Sequence, residues 1–233
     1  MVDYTKRPPS GGGGDAAGGG GVSLNKRTLT KAAPTVSLSK QGATMSGELR
    51  VNLNWTARPA DTPAGGGFLK RLAAATHTNA IDLDLCCLYE FTDGTKGVVQ
   101  ALGNAFQSKN RGSPIISLDG DDRSGTNVAG ENLRIDLARL GEIRRILVFA
   151  FIYEGTPNWA GANGVITLYP HGGAPIEVFL DESDPQARTC AVAMLENRDD
   201  DLSVRREVRY INGSQSALDQ AYGWGLQWSP GRK

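Results

Sequence analysis

Residues 119–137 read Asp-Gly-Asp-Asp-Arg-Ser-Gly-Thr-Asn-Val-Ala-Gly-Glu-Asn-Leu-Arg-Ile-Asp-Leu. The first part is dense in carboxylates, glycine and short oxygen-bearing side chains. The last part, 133–137, alternates apolar and polar as a half-buried strand does. An acidic, tightly turning loop therefore feeds straight into a strand. Two readings of the loop stand side by side. Asp, Asn, Ser and Gly are the commonest turn formers, so it reads as a hydrated surface turn. It also gathers hard oxygen donors around one point, as Ca²⁺ requires, with roughly 6–8 oxygens at about 2.3–2.6 Å.

Working outward, the same two-residue period recurs. Residues 114–118 run into the loop as a strand. Residues 49–55 alternate over their whole length and place Leu49, Val51, Leu53 and Trp55 toward a core. Residues 80–89 form a strand on which Asp82 and Asp84 share one face. Burying two adjacent carboxylates costs several kcal/mol unless something compensates. A cation supplied by the Asp121 loop would do so; an exposed strand face with both groups in water is the other solution. Asp93-Gly94 marks a hairpin turn, and residues 98–102 return as a strand. Residues 145–153 are nearly all apolar, as at the centre of a sheet. Residues 164–169, 176–180, 189–196 and 203–211 read as further strands, and 224–228 as a closing one. Residues 22–26 and 36–40 echo each other as two similar strands. Short helices are expected at 68–77 and 214–222. Many short strands separated by turn signals predict an all-β chain: an antiparallel two-sheet β-sandwich with short peripheral helices.

Residues 1–21 contain Pro8-Pro9 and two runs of glycine. They lack the apolar area that would offset the entropy of ordering, so a disordered tail is expected there, with one domain over 22–233. Lys+Arg and Asp+Glu are both 25. This balance gives no electrostatic case for nucleic acid or an anionic membrane as partner. No apolar run approaches the ~20 residues that span a bilayer, so no membrane insertion is expected. The N-terminus lacks a signal peptide's apolar centre, which points to the cytoplasm.

The three cysteines include the adjacent pair Cys86 and Cys87. Neighbours on a strand face opposite ways, so the pair suits neither chelation nor a redox couple. All three cysteines are read as small buried side chains. His77 and His171 lie far apart in the chain, which argues against a zinc site or a histidine-based dyad.

Several motifs now stand in a definite order: Val36-Ser37-Leu38-Ser39-Lys40, Leu53-Asn54-Trp55, Asp82-Leu83-Asp84, Gly120-Asp121 with Ser124-Gly125, and residues 131–137. This order resembles the TerD-like tellurium-resistance and stress-response family. Asp219, Ala221-Tyr222-Gly223-Trp224-Gly225 and Trp228 resemble its TerA branch. The match runs from about Val36 to the end. The resemblance implies a two-sheet β-sandwich, a bacterial source, Ca²⁺ sites in the founding branch and no known enzymatic activity. It also implies other tellurium-resistance-type proteins as partners, at a membrane-associated complex.

Carried over by residue, the family's strand carboxylates match Asp82 and Asp84, and its loop matches Gly120, Asp121, Ser124 and Gly125. Its Gly-Asp-Asp-Glu run is shortened here to Val128-Ala129-Gly130-Glu131, leaving only the carboxylate of Glu131. Asp119 and Asp122 are the acidic residues that would compensate. The candidate metal ligands are thus Asp82, Asp84, Asp121, Asp122, Ser124 and Glu131, with Asn127 or loop carbonyls completing the shell. Fewer charged ligands weaken Ca²⁺ binding. Two function classes follow. One is a non-enzymatic module of a stress-response assembly, with Ca²⁺ bound through the acidic loop. The alternative is a metal-dependent hydrolase using the Asp82, Asp84 and Asp121 carboxylates.

Overall fold

The computed structural model describes residues 26–56, 81–120, 130–182 and 184–229. The expected tail, most of the 22–26 strand, the 68–77 helix with His77, and Asp121, Asp122, Ser124 and Asn127 lie outside these residues.

The apolar run at 143–154 forms the strand around which one sheet is built. Here β8 (Ile143–Glu154) lies between β4 (Asp82–Phe91) and β11 (Thr189–Arg198). The sheet continues on one side to β5 (Lys96–Val99), and on the other to β12 (Asp201–Ile211) and β2 (Thr35–Ser37). Every pairing in it is antiparallel. A second six-stranded sheet has the order β1 (Arg27–Thr28), β10 (Ile176–Leu180), β9 (Gly164–Tyr169), β3 (Glu48–Asn54), β7 (Glu131–Asp136) and β6 (Ile116–Leu118). This sheet is mixed, which corrects the purely antiparallel expectation: β1 runs parallel to β10, with Arg27 N–H donating to Pro175 O at 2.8 Å.

Alternation explains which side chains meet. Leu49, Val51 and Leu53 of β3 and Leu133 and Ile135 of β7 are fully buried, in one cluster with Leu83, Leu85 and Cys87 of β4 and Ile146, Val148 and Ala150 of β8. One apolar core therefore draws on both sheets. The opposite face of the β8 sheet carries a second cluster, with Cys86, Leu88, Leu147, Phe149 and Met194. Leu218 of α2 (Gln215–Tyr222) and Trp224 cover it. A burial on both faces is why β4 and β8 read as near-continuous apolar runs. A shorter helix, α1 (Trp159–Ala162), precedes β9.

Two expected strands are shortened and a third is absent. Residues 36–40 give only the end of β2, and Ser39–Gln41 tighten into a 3-10 turn in which Lys40 N–H donates to Ser37 Oγ at 3.2 Å. Residues 98–102 leave the ladder after Val99, and Leu102–Asn104 form another such turn. Residues 224–228 are not a strand: the N–H groups of Gly225 and Leu226 go to the carboxylate of Asp219 rather than to a neighbouring strand.

Candidate functional site

Asp82 and Asp84 open β4, and both are buried, at 5% and 1% exposure. This corrects the reading in which both carboxylates stand in water, since neither lies on a water-exposed strand face. Asp84 pairs in register with Phe151 and shares by period the face of Cys86. A register shift separates Asp82 from Leu83, so the start of the strand is irregular where the carboxylates sit.

The edge of β4 explains how Glu131 reaches this place. β5 pairs only with Cys87, Leu88, Tyr89 and Glu90. Upstream of that, the β4 edge must find acceptors elsewhere. Leu85 N–H donates to Glu131 Oε2 at 2.6 Å, and Glu131 is itself 1% exposed. Glu131 belongs to the other sheet, where it begins β7 opposite Leu53. Its carboxylate thus crosses between sheets and lands on the residue that follows Asp84.

The ends of the acidic loop are tied to the same region. Asp119 N–H donates to Asn132 O at 3.0 Å, and Asn132 N–H returns a bond to Asp119 Oδ1 at 3.0 Å. Asp119 Oδ2 lies 3.7 Å from Arg134 Nη2. Asp119 therefore closes the neck of the loop. Gly130 ends the loop with φ +59°. A Cβ there would sit 2.1 Å from Leu53 O, so the close approach of the two chains admits only glycine.

The structure thus brings Glu131 to the strand of Asp82 and Asp84. Asp121, Asp122 and Ser124 are outside the described residues. Among the described residues, no three His, Cys, Asp or Glu side chains gather as a metal-ligand set. The donors placed here are all carboxylate oxygens, the chemistry of a hard cation such as Ca²⁺ rather than Zn²⁺.

The cysteines sit as expected from the strand period: Cys87 in the shared core, Cys86 in the outer cluster, all three as buried thiols. Burial pushes the Cys87 thiol up to about 12, and burial likewise raises that of Cys190. Neither is a thiolate at neutral pH.

Sequence reasoning missed a second constellation, on the outer face of the β8 sheet. Glu90 has a side chain only 4% exposed, yet it receives Arg144 Nη1 at 2.8 Å and Arg145 Nε at 2.7 Å, with Lys96 Nζ at 3.7 Å. Burial works to raise its pKa, but the Arg145 hydrogen bond and the charges of Arg145, Lys96 and Arg144 outweigh it and hold the carboxyl below the usual glutamate range. The Arg145 guanidinium lies 4.0 Å over the Trp224 ring. Trp224 Nε1 donates to Tyr89 O at 3.0 Å, and Trp224 O accepts from Lys96 Nζ at 3.1 Å. Asp219 accepts from Gly225 N, Leu226 N and Trp228 Nε1 at 2.8–3.0 Å. This clasp gives a physical reason for the Asp219-to-Trp228 motif, which sequence reading used only as a mark of kinship. The available signal was the buried-type Trp following Gly223, the left-handed end of α2 at φ +60°.

No family model matches the chain. A tellurium resistance protein TerA from Alcaligenes sp is 42% identical over 212 residues, which are 91% of this chain and 60% of that protein. The chain thus spans about three fifths of the relative's length. A crystal structure of a homologue of telluride resistance protein (TerD) from Streptomyces coelicolor A3(2) matches with a TM-score of 0.51 at 20% identity, covering 75% of this chain and 95% of that one. A crystal structure of a protein of unknown function gives the same TM-score at 17% identity, covering 79% of this chain and all of that one. At these identities the two structures bear on the fold alone, a mostly β chain with two sheets. Across the 212 matched residues, the chain is similar to the tellurium resistance protein TerA.

Proposed function

We propose that the chain is a non-enzymatic module of a bacterial tellurite-resistance-type stress-response assembly, built as a β-sandwich and regulated by Ca²⁺. The cation is held between Asp82 and Asp84 of β4 and the acidic loop through Asp121, Asp122 and Ser124, with Glu131 at the rim. Its partners are other tellurium-resistance-type proteins, met at a membrane-associated complex from the cytoplasmic side. Among the described residues, no helix is long and apolar enough to cross a membrane.

The observation that carries this reading is the burial of Asp82 and Asp84 on the strand whose Leu85 N–H donates to the buried carboxylate of Glu131, in a chain similar to TerA. A divalent cation is one partner that stabilises carboxylates at such burial, and hard carboxylate oxygens are the donors Ca²⁺ takes. A single core shared by both sheets supports the sandwich. The metal-hydrolase alternative gains no support: Asp82 and Asp84 are buried, and neither of two grooves on the described surface is lined by them.

Thermal unfolding with and without Ca²⁺ tests the proposal. A ligand binding only the folded state stabilises it by about 2.7 kcal/mol at 100 times its Kd. Ca²⁺ should raise the melting temperature, and Asp84→Ala and Asp121→Ala should each lose most of that rise. No rise at millimolar Ca²⁺, or an unchanged rise in both variants, refutes the cation site. EDTA-sensitive hydrolysis of a generic phosphoester would revive the alternative.

A further inference from the structure

A groove of about 430 Å³ lies on the flank of the molecule where the edge strands of the two sheets come together, with Arg27 of β1 on one side and β2 on the other. Its lining includes Arg27, Lys40, Arg198, Ser37, Asp201 and Ser203. The volume is in the range of small-molecule sites. Three elements distant in sequence thus deliver three cations to one concavity.

What those cations meet is informative. Arg198 Nη2 pairs with Glu196 Oε2 at 2.8 Å. Arg27 and Lys40 have no ion pair among the described residues. The only carboxylate of the lining, Asp201, does not neutralise them: its Oδ1 accepts Ser39 N–H at 3.1 Å, and the hydroxyls of Ser37 and Ser39 also serve it. Burial opposes its charge, but these donors hold its carboxyl below the usual aspartate range. Elsewhere the described cations are mostly committed, as in Lys26 with Glu177, Arg134 with Glu48, or Arg50 over Tyr169. Lys109 and Arg111 are likewise without ion pairs among the described residues, but they sit exposed on a loop that lines neither groove. Ser203 stands beside Ser37 in register and presents a hydroxyl to the same space.

We infer that this groove is a binding site for a phosphate-bearing anion, held by the Arg27 guanidinium and the Lys40 ammonium with the Ser203 hydroxyl as a neutral donor. A guanidinium fork matches two phosphate oxygens at once, and an ammonium adds a point charge. The site is separate from Asp84 of the candidate cation site. In register, Glu90 pairs with Arg145, Arg145 with Glu196, Glu196 with Ser203 and Ser203 with Ser37. Asp84 lies six residues along β4 from that row, about 20 Å at a strand's rise, and β4 is four strands away from β2.

The test is calorimetric titration of the full chain, at low ionic strength, with inorganic phosphate and with ribose 5-phosphate. Saturable binding of at least one is expected. R27Q/K40Q should weaken it at least tenfold, while K109Q/R111Q, which removes the same charge elsewhere, should leave it within twofold. D201N keeps an acceptor for Ser39 N–H but removes the repelling charge, and it should tighten binding severalfold. Equal affinity for both probes assigns the free anion as ligand; a tenfold preference for ribose 5-phosphate assigns a phosphate monoester. The absence of saturable binding by either, or an equal loss in both double variants, overturns the inference. Asp84→Ala should leave phosphate binding unchanged, so this site and the cation site stand or fall separately.

Discussion

Asp219→Ala removes the carboxylate around which the C-terminal segment is wound. Asp219 is 3% exposed and accepts three hydrogen bonds, from Gly225 N–H at 2.8 Å, Leu226 N–H at 2.9 Å and the Trp228 indole at 3.0 Å. Hydrogen bonds to a charged group contribute about 1.5–3 kcal/mol each. The simple sum overstates the loss, because Gly225 is exposed and Leu226 and Trp228 are half-buried, so water can take over their donors. What water cannot replace is the position of Trp224, which is 1% exposed and seals the outer apolar cluster. A net destabilisation of about 3 kcal/mol is the expectation, which for a domain of this size lowers the melting temperature by about 6–12 °C. Urea unfolding followed by far-UV circular dichroism and by tryptophan fluorescence measures it. Trp228→Phe, which removes the indole donor alone, should cost about 1 kcal/mol. A loss below about 1 kcal/mol in Asp219→Ala, near the worth of one ordinary hydrogen bond, would refute the clasp as a stabilising device.

Three further outcomes follow from the geometry. Gly130→Ala should destabilise by more than about 2 kcal/mol, because left-handed backbone and the clash with Leu53 O act together; urea titration checks it. Glu90 has a folded pKa below its ordinary 4.5, so its contribution is complete above pH 4.5 and is lost as pH falls through the folded value. Glu90→Gln should therefore flatten the acid limb of a melting-temperature profile against pH. Cys86, Cys87 and Cys190 are buried, and Cys87 is pushed up to about 12, so a disulfide reagent at pH 7.5 should label none of them rapidly until urea is added.

The fold was legible wherever side-chain period and burial agree. Residues 49–55 alternate strictly, and β3 buries Leu49, Val51 and Leu53 as that alternation requires, with Trp55 buried just beyond it. The run at 145–153 has no alternation, and it became the doubly covered β8. Illegible were features decided by partners distant in sequence. Residues 224–228 alternate well enough for a strand, but a carboxylate on α2 outcompetes any ladder for their N–H groups. The parallel attachment of β1 depends on where residue 175 arrives, which no local pattern encodes. Asp82 and Asp84 both lie on β4, yet whether they are buried depends on what covers them. That Asp119 closes the neck of the loop shows only in its reciprocal bonds to Asn132.

Glu131 poses the sharpest question about the candidate site. An edge amide at Leu85 needs an acceptor, and a neutral one would suffice. Glutamine at this position would satisfy Leu85 N–H without bringing a third negative charge to the strand of Asp82 and Asp84. Nature of the acceptor thus separates two roles. If the carboxylate serves only the edge, Glu131→Gln should unfold at the same temperature as the parent or higher without Ca²⁺, and should show the same Ca²⁺-induced rise. If the charge is there to meet a cation, Glu131→Gln should keep or gain stability without metal, because like-charge repulsion falls, and should lose most of the Ca²⁺-induced rise. Glu131→Ala distinguishes the edge bond itself: it should lose about 1–3 kcal/mol with or without Ca²⁺, since it leaves the buried Leu85 N–H unsatisfied. A full Ca²⁺ response in Glu131→Gln would place the cation entirely on the aspartates and reduce Glu131 to the cap of an open strand edge.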